Sequence, residues 1–426
     1  MNLPLITLGK TSSKIVQRLN LGNGSTWPGH IALKMNKNFI KDIISESHTK
    51  VIIVAGTNGK TTTSSLIADV LTENKKTVLR NESGANLLNG IASTILLNTN
   101  SRGKLTQEYA VFEVDENALS LLLQQITPDY LVLLNLFRDQ LDRYGEINTI
   151  VSKWQDAIDA LPAATKLVLN ADDPQIAYLG NKKTKTSYFG VKEKTTNKEN
   201  VQQAADSVSC PQCDAPLIFD HKTFSHLGIW HCKKCGLKSP QADVTNTSFY
   251  PLTGVYNQYN THAAILVLKQ FGFSEKQIID GLKEFKPAFG RQETLRYKNK
   301  NVQLFLSKNP TSFNQSFETI RELEAKNLLI VLNDRVPDGH DISWIWDVDL
   351  KGIEQFKKIL ISGDRVYDMA LRFKYEGYKN VETFRNLALA VDTGVEMTHA
   401  NETFFVLPTY SAMLEVRKIL TGKKIL

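Results

Sequence analysis

A strand followed by a glycine-rich loop and a helix, near residue 50, constrains the fold of this chain more than any other feature. The run Lys50–Ala55 is apolar and largely β-branched after its first residue, which is typical of a buried strand. It leads directly into Gly56-Thr57-Asn58-Gly59-Lys60-Thr61-Thr62, and apolar residues follow at helical spacing at Leu66, Ile67 and Val70. Because a phosphate-binding loop needs this context, the region predicts a parallel α/β domain that binds a phosphorylated ligand.

The loop residues have separate expected roles in phosphate binding. Backbone N–H groups of a glycine-rich turn at a helix N-terminus surround phosphate oxygens, and the helix dipole favours their negative charge. We expect Lys60 to neutralise the β- and γ-phosphates of ATP and the Thr61 hydroxyl to bind Mg²⁺. The glycine that usually opens such a loop is absent, since Val54 occupies its position, so a simple glycine turn remains an open alternative.

Further apolar runs of strand length alternate with helical patterns along the chain. In the first 300 residues the predicted strands are 110–114, 130–136 and 166–169, and the predicted helices are 118–125, 147–160, 262–271 and 274–285. Beyond residue 300 the predicted strands are 302–306, 328–332, 358–362 and 403–406, and the predicted helices are 313–325, 366–375 and 410–420. A short amphipathic helix is also predicted at 12–19. This alternation predicts two α/β units.

We therefore expect three parts in the chain. A short N-terminal segment occupies 1–45, a central P-loop ATPase domain occupies 46–295, and a Rossmann-like C-terminal α/β domain occupies 296–426. The stretch 291–300 is predicted to be the linker between the two domains. A polar segment at 192–205 leads into an insertion of the central domain at about 200–245.

All four cysteines of the chain lie within this insertion. Cys210 and Cys213 form one Cys-x-x-Cys pair, Cys232 and Cys235 form another, and 18 residues separate the two pairs. Two such turns predict a tetrahedral all-thiolate zinc site, which is structural because no coordination position stays open. Disulfide pairing is the alternative, and it is disfavoured in a reducing cytosol. The histidines of the same window, His221, His226 and His231, are expected at the surface.

Composition excludes several classes of protein. A hydrophobic content of 42% with 22% charged residues is ordinary for a globular protein. No apolar run approaches the roughly 18–20 residues of a membrane span, and no signal peptide is recognised, so a cytoplasmic protein is expected. The net charge of +7, from 51 Lys+Arg and 44 Asp+Glu, is spread along the chain and does not indicate nucleic-acid binding.

Several short motifs resemble those of the Mur ligase superfamily, which includes the folylpolyglutamate synthases. The glycine-rich loop has the spelling of that family, and the further matches are 112–115, 135–145, 170–174, 254–264 and 289–293. The residues that the resemblance implies in ATP binding are Gly56, Thr57, Asn58, Gly59, Lys60, Thr61, Thr62, Asn257 and Arg291. It further implies that Glu113 binds Mg²⁺ with Thr61, and that Lys60 and Glu113 are catalytic.

Three positions depart from the family pattern. Gln140 stands where a histidine usually helps to hold a metal, and Lys308-Asn309-Pro310 stands where His-Asn-Pro is usual. Phe305 replaces an aspartate that orients the nucleotide. Lys153 lies near the position of a carbamylated lysine, but an ordinary surface lysine is the better interpretation of its spacing. The segment before the first strand is also short for a domain that holds a UDP-linked substrate.

A zinc ribbon and a Trp-rich signature resemble one subfamily, the MurT-like ligase subunits of lipid II isoglutaminyl synthases. The signature runs through 338–349, and related stretches follow at 362–370 and 407–410. The resemblance implies ATP-dependent amidation of the D-glutamate α-carboxylate in lipid II through an acyl phosphate. It also implies a GatD-like glutaminase partner with a catalytic Cys/His pair, to which Asp349 of this chain is the third, orienting member. Action at the inner face of the cell membrane is implied as well. Asp341 and Asp347 are close by, and a solvated acidic loop remains the alternative.

Two other functions stay open at this point. The first is an amino-acid-adding ligase of the Mur or folylpolyglutamate type, and the short N-terminus and the cysteine module speak against it. The second is a zinc-ribbon ATPase that binds nucleic acid, suggested by Lys233 and Lys234. Few aromatic residues are available there for base stacking, so no nucleic-acid partner is expected.

Overall fold

A computed structural model describes residues 5–7, 9–11, 26–81, 84–138, 147–191 and 206–423 of the chain. The predicted α/β fold class is confirmed, since two separate six-stranded sheets follow each other along the sequence, each with helices packed on it. Among the described residues, no helix has both the length and the apolar character that crossing a membrane requires. The predicted helix at 12–19 lies outside the described residues, as does Gln140.

The first sheet is entirely parallel. Its strands are β1 (Lys50–Ala55), β2 (Val78–Arg80), β3 (Tyr109–Glu113), β4 (Tyr130–Leu133), β5 (Lys166–Asn170) and β6 (Thr186–Phe189), in the order β2-β3-β1-β4-β5-β6. Successive residues of β1 face opposite sides, and both sides are buried: Ile53 belongs to one apolar core and Val54 to the other. A strand covered on both faces needs a continuous apolar run, which explains the sequence of β1.

Nine helices whose bounds the structure describes in full accompany this sheet. They are α1 (Trp27–Met35), α2 (Phe39–Ser45), α3 (Lys60–Glu73), α4 (Leu88–Asn98), α5 (Glu116–Leu123), α6 (Ile147–Asp159), α7 (Pro174–Leu179), α8 (Val255–Gln270) and α9 (Glu275–Lys283). Helices α1 and α2 precede the predicted start of the central domain. Their Ala32, Phe39 and Ile40 nevertheless lie in the same apolar core as Ile53, so they pack as part of this unit.

The cysteine module lies between β6 and α8. It contains an antiparallel hairpin of β7 (Ile218–Phe224) and β8 (Leu227–His231). After the module, Val244 forms a parallel bridge with Phe189 of β6, so the chain returns to the edge of the first sheet before α8 begins.

The second sheet carries the C-terminal helices. Its strands are β9 (Arg291–Tyr297), β10 (Lys300–Phe305), β11 (Asn327–Val331), β12 (Lys358–Ser362), β13 (Val381–Thr383) and β14 (Thr403–Pro408), in the order β13-β12-β11-β14-β10-β9. Only β9 is antiparallel to its neighbour. The helices are α10 (Pro310–Glu322), α11 (Val366–Tyr375), α12 (Leu387–Met397) and α13 (Tyr410–Thr421), with 3₁₀ turns at Ser343–Asp347 and Ile353–Gln355.

The prediction of a linker at 291–300 is wrong. This stretch is strand β9 and the turn into β10, in which Lys298 and Asn299 have positive φ. As an edge strand, β9 pairs on one side only and is mostly polar, with Leu295 and Tyr297 as its apolar residues. It therefore lacks the apolar run that identified the central strands. The second sheet therefore starts at Arg291, and the domain boundary predicted at 295/296 lies within β9.

Candidate functional site

The glycine-rich loop connects β1 to α3, as the sequence predicts. Gly59 is the residue before α3 and has a φ of +92°, a conformation that favours glycine. A Cβ atom at Gly59 would lie 2.0 Å from Oδ1 of Asn260, which projects from α8. The loop therefore needs glycine here for two reasons, its backbone conformation and the close approach of α8.

Lys60 is buried and points back across the loop. Its Nζ donates hydrogen bonds to the carbonyl oxygens of Gly56, at 2.6 Å, and Thr57, at 3.2 Å. It also lies 3.1 Å from Oε2 of Glu116, the first residue of α5. The predicted phosphate-binding lysine thus rests among oxygen atoms of the loop and one buried carboxylate.

Thr61 and Glu113 form a second polar contact beneath the loop. The Thr61 hydroxyl donates a 2.6 Å hydrogen bond to Oε2 of Glu113, which ends β3. Both side chains are about 95% buried, with exposures of 4% and 5%. A hydroxyl and a carboxylate at this spacing offer the hard oxygen ligands that Mg²⁺ prefers, so these residues fit the predicted magnesium site.

A loop after β4 holds the phosphate loop in place, and Asn135 is its main contact. Asn135 Oδ1 accepts from the backbone N–H of Asn58 at 2.9 Å, and its Nδ2 donates to the carbonyl of Asn58 at 3.0 Å. The backbone of Thr57 bonds to the carbonyl of Asn135, and its hydroxyl bonds to Phe137. The buried Nδ2 of Asn58 has no hydrogen-bond partner among the described residues, which suits an acceptor such as a phosphate oxygen.

A cleft beside the loop has the composition of a nucleotide site. Loop residues Asn58, Gly59 and Thr62 form part of its wall, together with the sequence-predicted residues Asn257 and Arg291. Apolar side chains form a further part of the wall, and they are Phe137, Phe224, Leu227, Leu252, Phe305 and Leu306. Phosphates fit the first part, and the flat face of a base fits the second.

A second cleft also borders the loop. It is lined by Lys60, Glu113 and Tyr410, among others, and it shares Arg291 and Lys308 with the nucleotide cleft. The C-terminal unit contributes Lys308 and Tyr410, so the site is formed by both units of the chain. The cationic side chains of Lys60, Arg291 and Lys308 thus line a cleft next to the predicted position of the γ-phosphate.

Electrostatic interactions couple these cations to buried carboxylates. Burial opposes ionisation of Glu116, but the ammonium groups of Lys60 and Lys308 outweigh it and lower the pKa of Glu116. Burial lowers the pKa of the Arg291 guanidinium, and the carboxylate of Glu113 acts in the opposite direction. Sequence reasoning singled out Glu113, but it missed Glu116 and gave no separate role to Asn135, which begins the family motif at 135–145. Their places at a helix start and after a strand were visible, but their partners were not.

The four cysteines come together as predicted. Cys210 Sγ lies 3.5 Å from Cys235 Sγ, Cys213 Sγ lies 3.5 Å from Cys232 Sγ, and all four sulphur atoms lie within 4.8 Å of one another. Tetrahedral zinc with Zn–S bonds of about 2.3 Å requires sulphur atoms roughly 3.8 Å apart, so this arrangement fits the ion. The two turns also match, since Cys210 N bonds to Ala215 O and Cys232 N to Leu237 O.

One histidine of the cysteine module is not at the surface. His226 is fully buried, and its Nε2 lies 3.5 Å from Oδ2 of Asp173. The expectation of a surface position is therefore wrong for His226. The reason is that the tip of the β7–β8 hairpin is inserted against the first sheet, a tertiary contact that the cysteine spacing does not reveal.

Of the remaining predicted residues, Asp349 and Lys153 lie away from the two clefts, and Phe305 lies on the wall of the nucleotide cleft. Asp349 is half-buried and follows the 3₁₀ turn Ser343–Asp347; its N–H donates to Asn314 Oδ1 at 2.9 Å. It lines neither cleft. Lys153 is exposed on α6 and also lines neither cleft, which agrees with a surface lysine. Phe305 is buried and lies in the apolar part of the nucleotide cleft.

Two protein families match the sequence, and together they span most of it. The Mur ligase middle domain matches residues 54–268, and the MurT ligase C-terminal domain matches residues 306–413. The first match contains the phosphate loop and the cysteine module. The second contains Lys308, Asp349 and α11.

Curated relatives and solved structures agree with these families. The lipid II isoglutaminyl synthase (glutamine-hydrolyzing) subunit MurT of Streptococcus pneumoniae is 34% identical, over 98% of this chain and 96% of the relative. The subunit of the same name from Staphylococcus aureus is 32% identical, over 87% and 86%. The structure of a pseudomurein peptide ligase type C from Methanothermus fervidus has the same fold, with a TM-score of 0.64, 21% identity, and coverage of 88% and 79% of the two chains.

Proposed function

The chain belongs to the MurT family of the Mur ligases, and we propose that it is the ligase subunit of a lipid II isoglutaminyl synthase. In this role it converts the α-carboxylate of D-glutamate in the lipid II stem peptide to an amide, giving D-isoglutamine during peptidoglycan synthesis. The observation that carries the proposal is the pair of clefts that share Arg291 and Lys308. One suits a nucleotide, and the other offers cations to a carboxylate beside the phosphate loop.

ATP supplies the leaving group that a carboxylate lacks. A carboxylate oxygen of the acceptor attacks the γ-phosphorus of ATP, the bond from that phosphorus to the β–γ bridging oxygen breaks, and ADP leaves. Ammonia then attacks the carbonyl carbon of the acyl phosphate. The carbon–oxygen bond breaks with its electron pair leaving on inorganic phosphate, and the nitrogen loses a proton to solvent. Positioning and charge neutralisation supply most of the catalysis in such transfers.

The residues of the chain divide this work. The backbone of Gly56–Thr62 cradles the phosphates, and Lys60 exchanges its resting partners for the β- and γ-phosphate oxygens. Thr61 and Glu113 hold Mg²⁺, which neutralises charge on the phosphates when it is bound. Asn257 and Arg291 line the nucleotide cleft, and Arg291 also reaches the second cleft. Lys60 and Glu113 are therefore the catalytic residues of the transfer.

A separate glutaminase subunit supplies the ammonia in this proposal. Glutamine hydrolysis by such subunits uses a thiol nucleophile, and all four cysteines of the chain are in the zinc-type cluster. The relatives are named as subunits of a glutamine-hydrolysing synthase, which supports a partner chain of the GatD type. The acceptor is lipid-linked, so we propose that the complex is cytoplasmic and acts at the inner face of the cell membrane. No nucleic-acid partner is proposed.

The surroundings of Asp349 support a role at the partner interface. Arg372 of α11 donates to the carbonyl oxygens of Ile345 and Val348, which fixes the segment that carries Asp349. The same guanidinium lies over the ring of Trp346, which is 49% exposed and contacts the exposed Tyr375. Exposed, rigidly held aromatic side chains are typical of protein interfaces. A carboxylate beside them can orient an imidazole of the partner in its productive tautomer.

Replacing Asp349 by Asn tests this assignment in the complex with the glutaminase. We expect glutamine-driven amidation of lipid II to fall by at least about 100-fold, while amidation driven by ammonium stays near the wild-type rate. Asp347→Asn is the matched control, because Asp347 is an exposed carboxylate two residues away. Equal loss with both nitrogen sources would move Asp349 into the ligase site, and loss in D347N alone would shift the role to that residue.

The same assay distinguishes amidation from amino-acid addition. Wild-type chain is incubated with ATP and lipid II, first with ammonium and then with free amino acids, and the lipid product is analysed by mass spectrometry. The proposal requires conversion of one carboxylate to an amide with ammonium. Incorporation of an amino acid without any amide product would contradict it.

A further inference from the structure

The β7–β8 hairpin joins the cysteine cluster to the nucleotide cleft. Cys232 follows the end of β8 directly, whereas the opposite end of the hairpin is the turn at Ser225 and His226. Strand β8 has five residues, which span about 17 Å at about 3.3 Å per residue. The cysteine cluster and the hairpin tip are therefore the two ends of one hairpin.

The tip of the hairpin belongs to the wall of the nucleotide cleft. Phe224, the last residue of β7, and Leu227, the first of β8, both line it and are at most 7% exposed. The ring of Phe224 lies 5.9 Å from that of Phe137, whose backbone bonds to Thr57 of the phosphate loop. The apolar part of the wall is thus built jointly by the inserted module and the loop after β4.

Buried contacts hold the hairpin tip against residues that support the phosphate loop. Trp230 Nε1 donates to the carbonyl of Ala171 at 3.2 Å, and Gly228 N donates to the carbonyl of Asp172 at 3.0 Å. His226 lies against Asp173, whose Oδ2 also accepts from the N–H of Leu136 at 2.9 Å. A tip held by this many buried contacts has a fixed position relative to the phosphate loop.

We propose that the hairpin tip, through Phe224 and Leu227, is the apolar platform for the nucleobase of ATP, and that the zinc-type site holds this platform in place. The inference rests on the proposed use of ATP and adds a role for the inserted module. Phosphates bound at Gly59 and Lys60 leave the base to contact the nearby apolar wall. A base needs a flat apolar surface there, and the module supplies two of its side chains.

Replacing Leu227 by Ala tests the platform by direct binding to the full chain. ATP with Mg²⁺ and inorganic tripolyphosphate with Mg²⁺ are titrated separately by calorimetry. We expect the ATP affinity to fall about ten-fold, because contact with about three side-chain carbons is lost, and tripolyphosphate affinity to stay unchanged, because it has no base. Ile229→Ala is the matched control, since Ile229 lies in the same strand, is 42% exposed and does not line the cleft.

Three outcomes decide between the inference and the function on which it rests. Unchanged ATP affinity in L227A, or an equal loss of ATP and tripolyphosphate affinity, would overturn the platform. A wild-type chain that binds no ATP would instead overturn the proposed function.

Cys232→Ser tests the contribution of the metal site. We expect a lower zinc content, measured by atomic spectroscopy, a lower melting temperature and a weaker ATP affinity in the folded fraction. A zinc-free variant that is folded and binds ATP as tightly as wild type would show that the metal does not hold the platform. If this variant does not fold, a chelator removes the metal from the wild-type chain instead, and an ATP affinity unchanged by metal removal would overturn the role of the metal site.

Discussion

Lys60 Nζ lies 3.1 Å from Glu116 Oε2, and the two side chains are 8% and 5% exposed. Lys308, from the C-terminal unit, acts on the same carboxylate and helps to lower its pKa. Two lysines from different units of the chain therefore share one buried counter-charge next to the phosphate loop. A nucleotide that recruits Lys60 must separate it from Glu116, so this contact opposes nucleotide binding and stabilises the nucleotide-free site.

Replacing Glu116 by Gln should separate these two effects. Without nucleotide, we expect lower stability, by roughly 1–3 kcal/mol, because a buried ammonium loses its counter-charge while the amide oxygen still accepts a hydrogen bond. With ATP and Mg²⁺, we expect a larger rise in melting temperature than in wild type, since binding no longer breaks an ion pair. Differential scanning fluorimetry with and without nucleotide measures both quantities.

A matched control for E116Q is Glu108→Gln, which removes the same charge from an exposed pair with Lys76. Exposed ion pairs contribute little to stability, so this variant should melt and respond to ATP like wild type. If E116Q also behaved like wild type in both measurements, Glu116 would have no part in the resting state of Lys60.

Lys308 should act in the chemical step rather than in nucleotide binding alone. It lines the second cleft, where the acceptor carboxylate and the transferred phosphoryl group add negative charge. We expect Lys308→Met to lower kcat/KM for the lipid acceptor with ammonium by at least about ten-fold, with a smaller change in ATP affinity. Lys308→Arg should restore part of the rate because it keeps the charge.

A surface lysine of the same unit provides the control for K308M. Lys326 forms an exposed pair with Glu402 on the second sheet, so Lys326→Met should leave amidation unchanged. If K308M lost ATP affinity and amidation to the same degree, Lys308 would be a nucleotide residue only.

The sequence predicts the parts of this site that follow from local patterns. The phosphate loop needs a strand, a glycine turn and a helix in immediate succession, and the zinc-type site needs two short cysteine turns, so both appear in the linear order. The partner of Lys60 is not local, because Glu116 is 56 residues away and begins a helix like many other glutamates. The place of the hairpin tip in the nucleotide cleft is likewise a tertiary contact, as the burial of His226 shows.

Gly59 should tolerate no side chain because of the close approach of Asn260, and a control variant separates this effect from backbone strain. In Gly59→Ala, the new Cβ would lie 2.0 Å from Oδ1 of Asn260, at a φ of +92°. We expect binding of both ATP and tripolyphosphate to fall by at least about 100-fold, because the loop must shift away from its phosphate-binding shape. Calorimetry with each ligand measures this loss.

Gly272→Ala is the control for G59A. Gly272 also has a positive φ, of +88°, but no atom lies within 4 Å of a Cβ built there. It should lose some stability through backbone strain and keep its ligand affinity. Normal phosphate binding by G59A would mean that the loop can open away from α8 without cost.

Two buried groups near β6 should give opposite pH dependences of stability. Burial raises the pKa of Asp172 to about 6 from 3.8, although Tyr259 and Val191 donate hydrogen bonds to it. Burial lowers the pKa of His262 to about 4 from 6.5; its Nδ1 donates to the carbonyl of Gly190. Each of these changes in pKa corresponds to about 3 kcal/mol in the free energy of unfolding.

The signs follow from which form the folded chain prefers. The Asp172 contribution is present at low pH and is lost as the pH rises from about 4 to about 6, because the folded state prefers the protonated acid. The His262 contribution is present above about pH 6.5 and is lost as the pH falls towards 4, because the folded state prefers the neutral ring. In wild type the two contributions largely offset each other over this range.

Asp172→Asn should therefore reveal the dependence due to His262. The variant loses an acceptor and should be less stable at every pH, but its melting temperature should rise more steeply than that of wild type between about pH 4.5 and pH 6.5. Protonation of the four clustered cysteines at low pH lowers the melting temperature of both proteins equally. The difference in slope between the two proteins is therefore the quantity measured. Asp280→Asn, at an exposed carboxylate, should keep the wild-type slope. Parallel curves for D172N and wild type would show that Asp172 is ionised in the folded chain throughout this range.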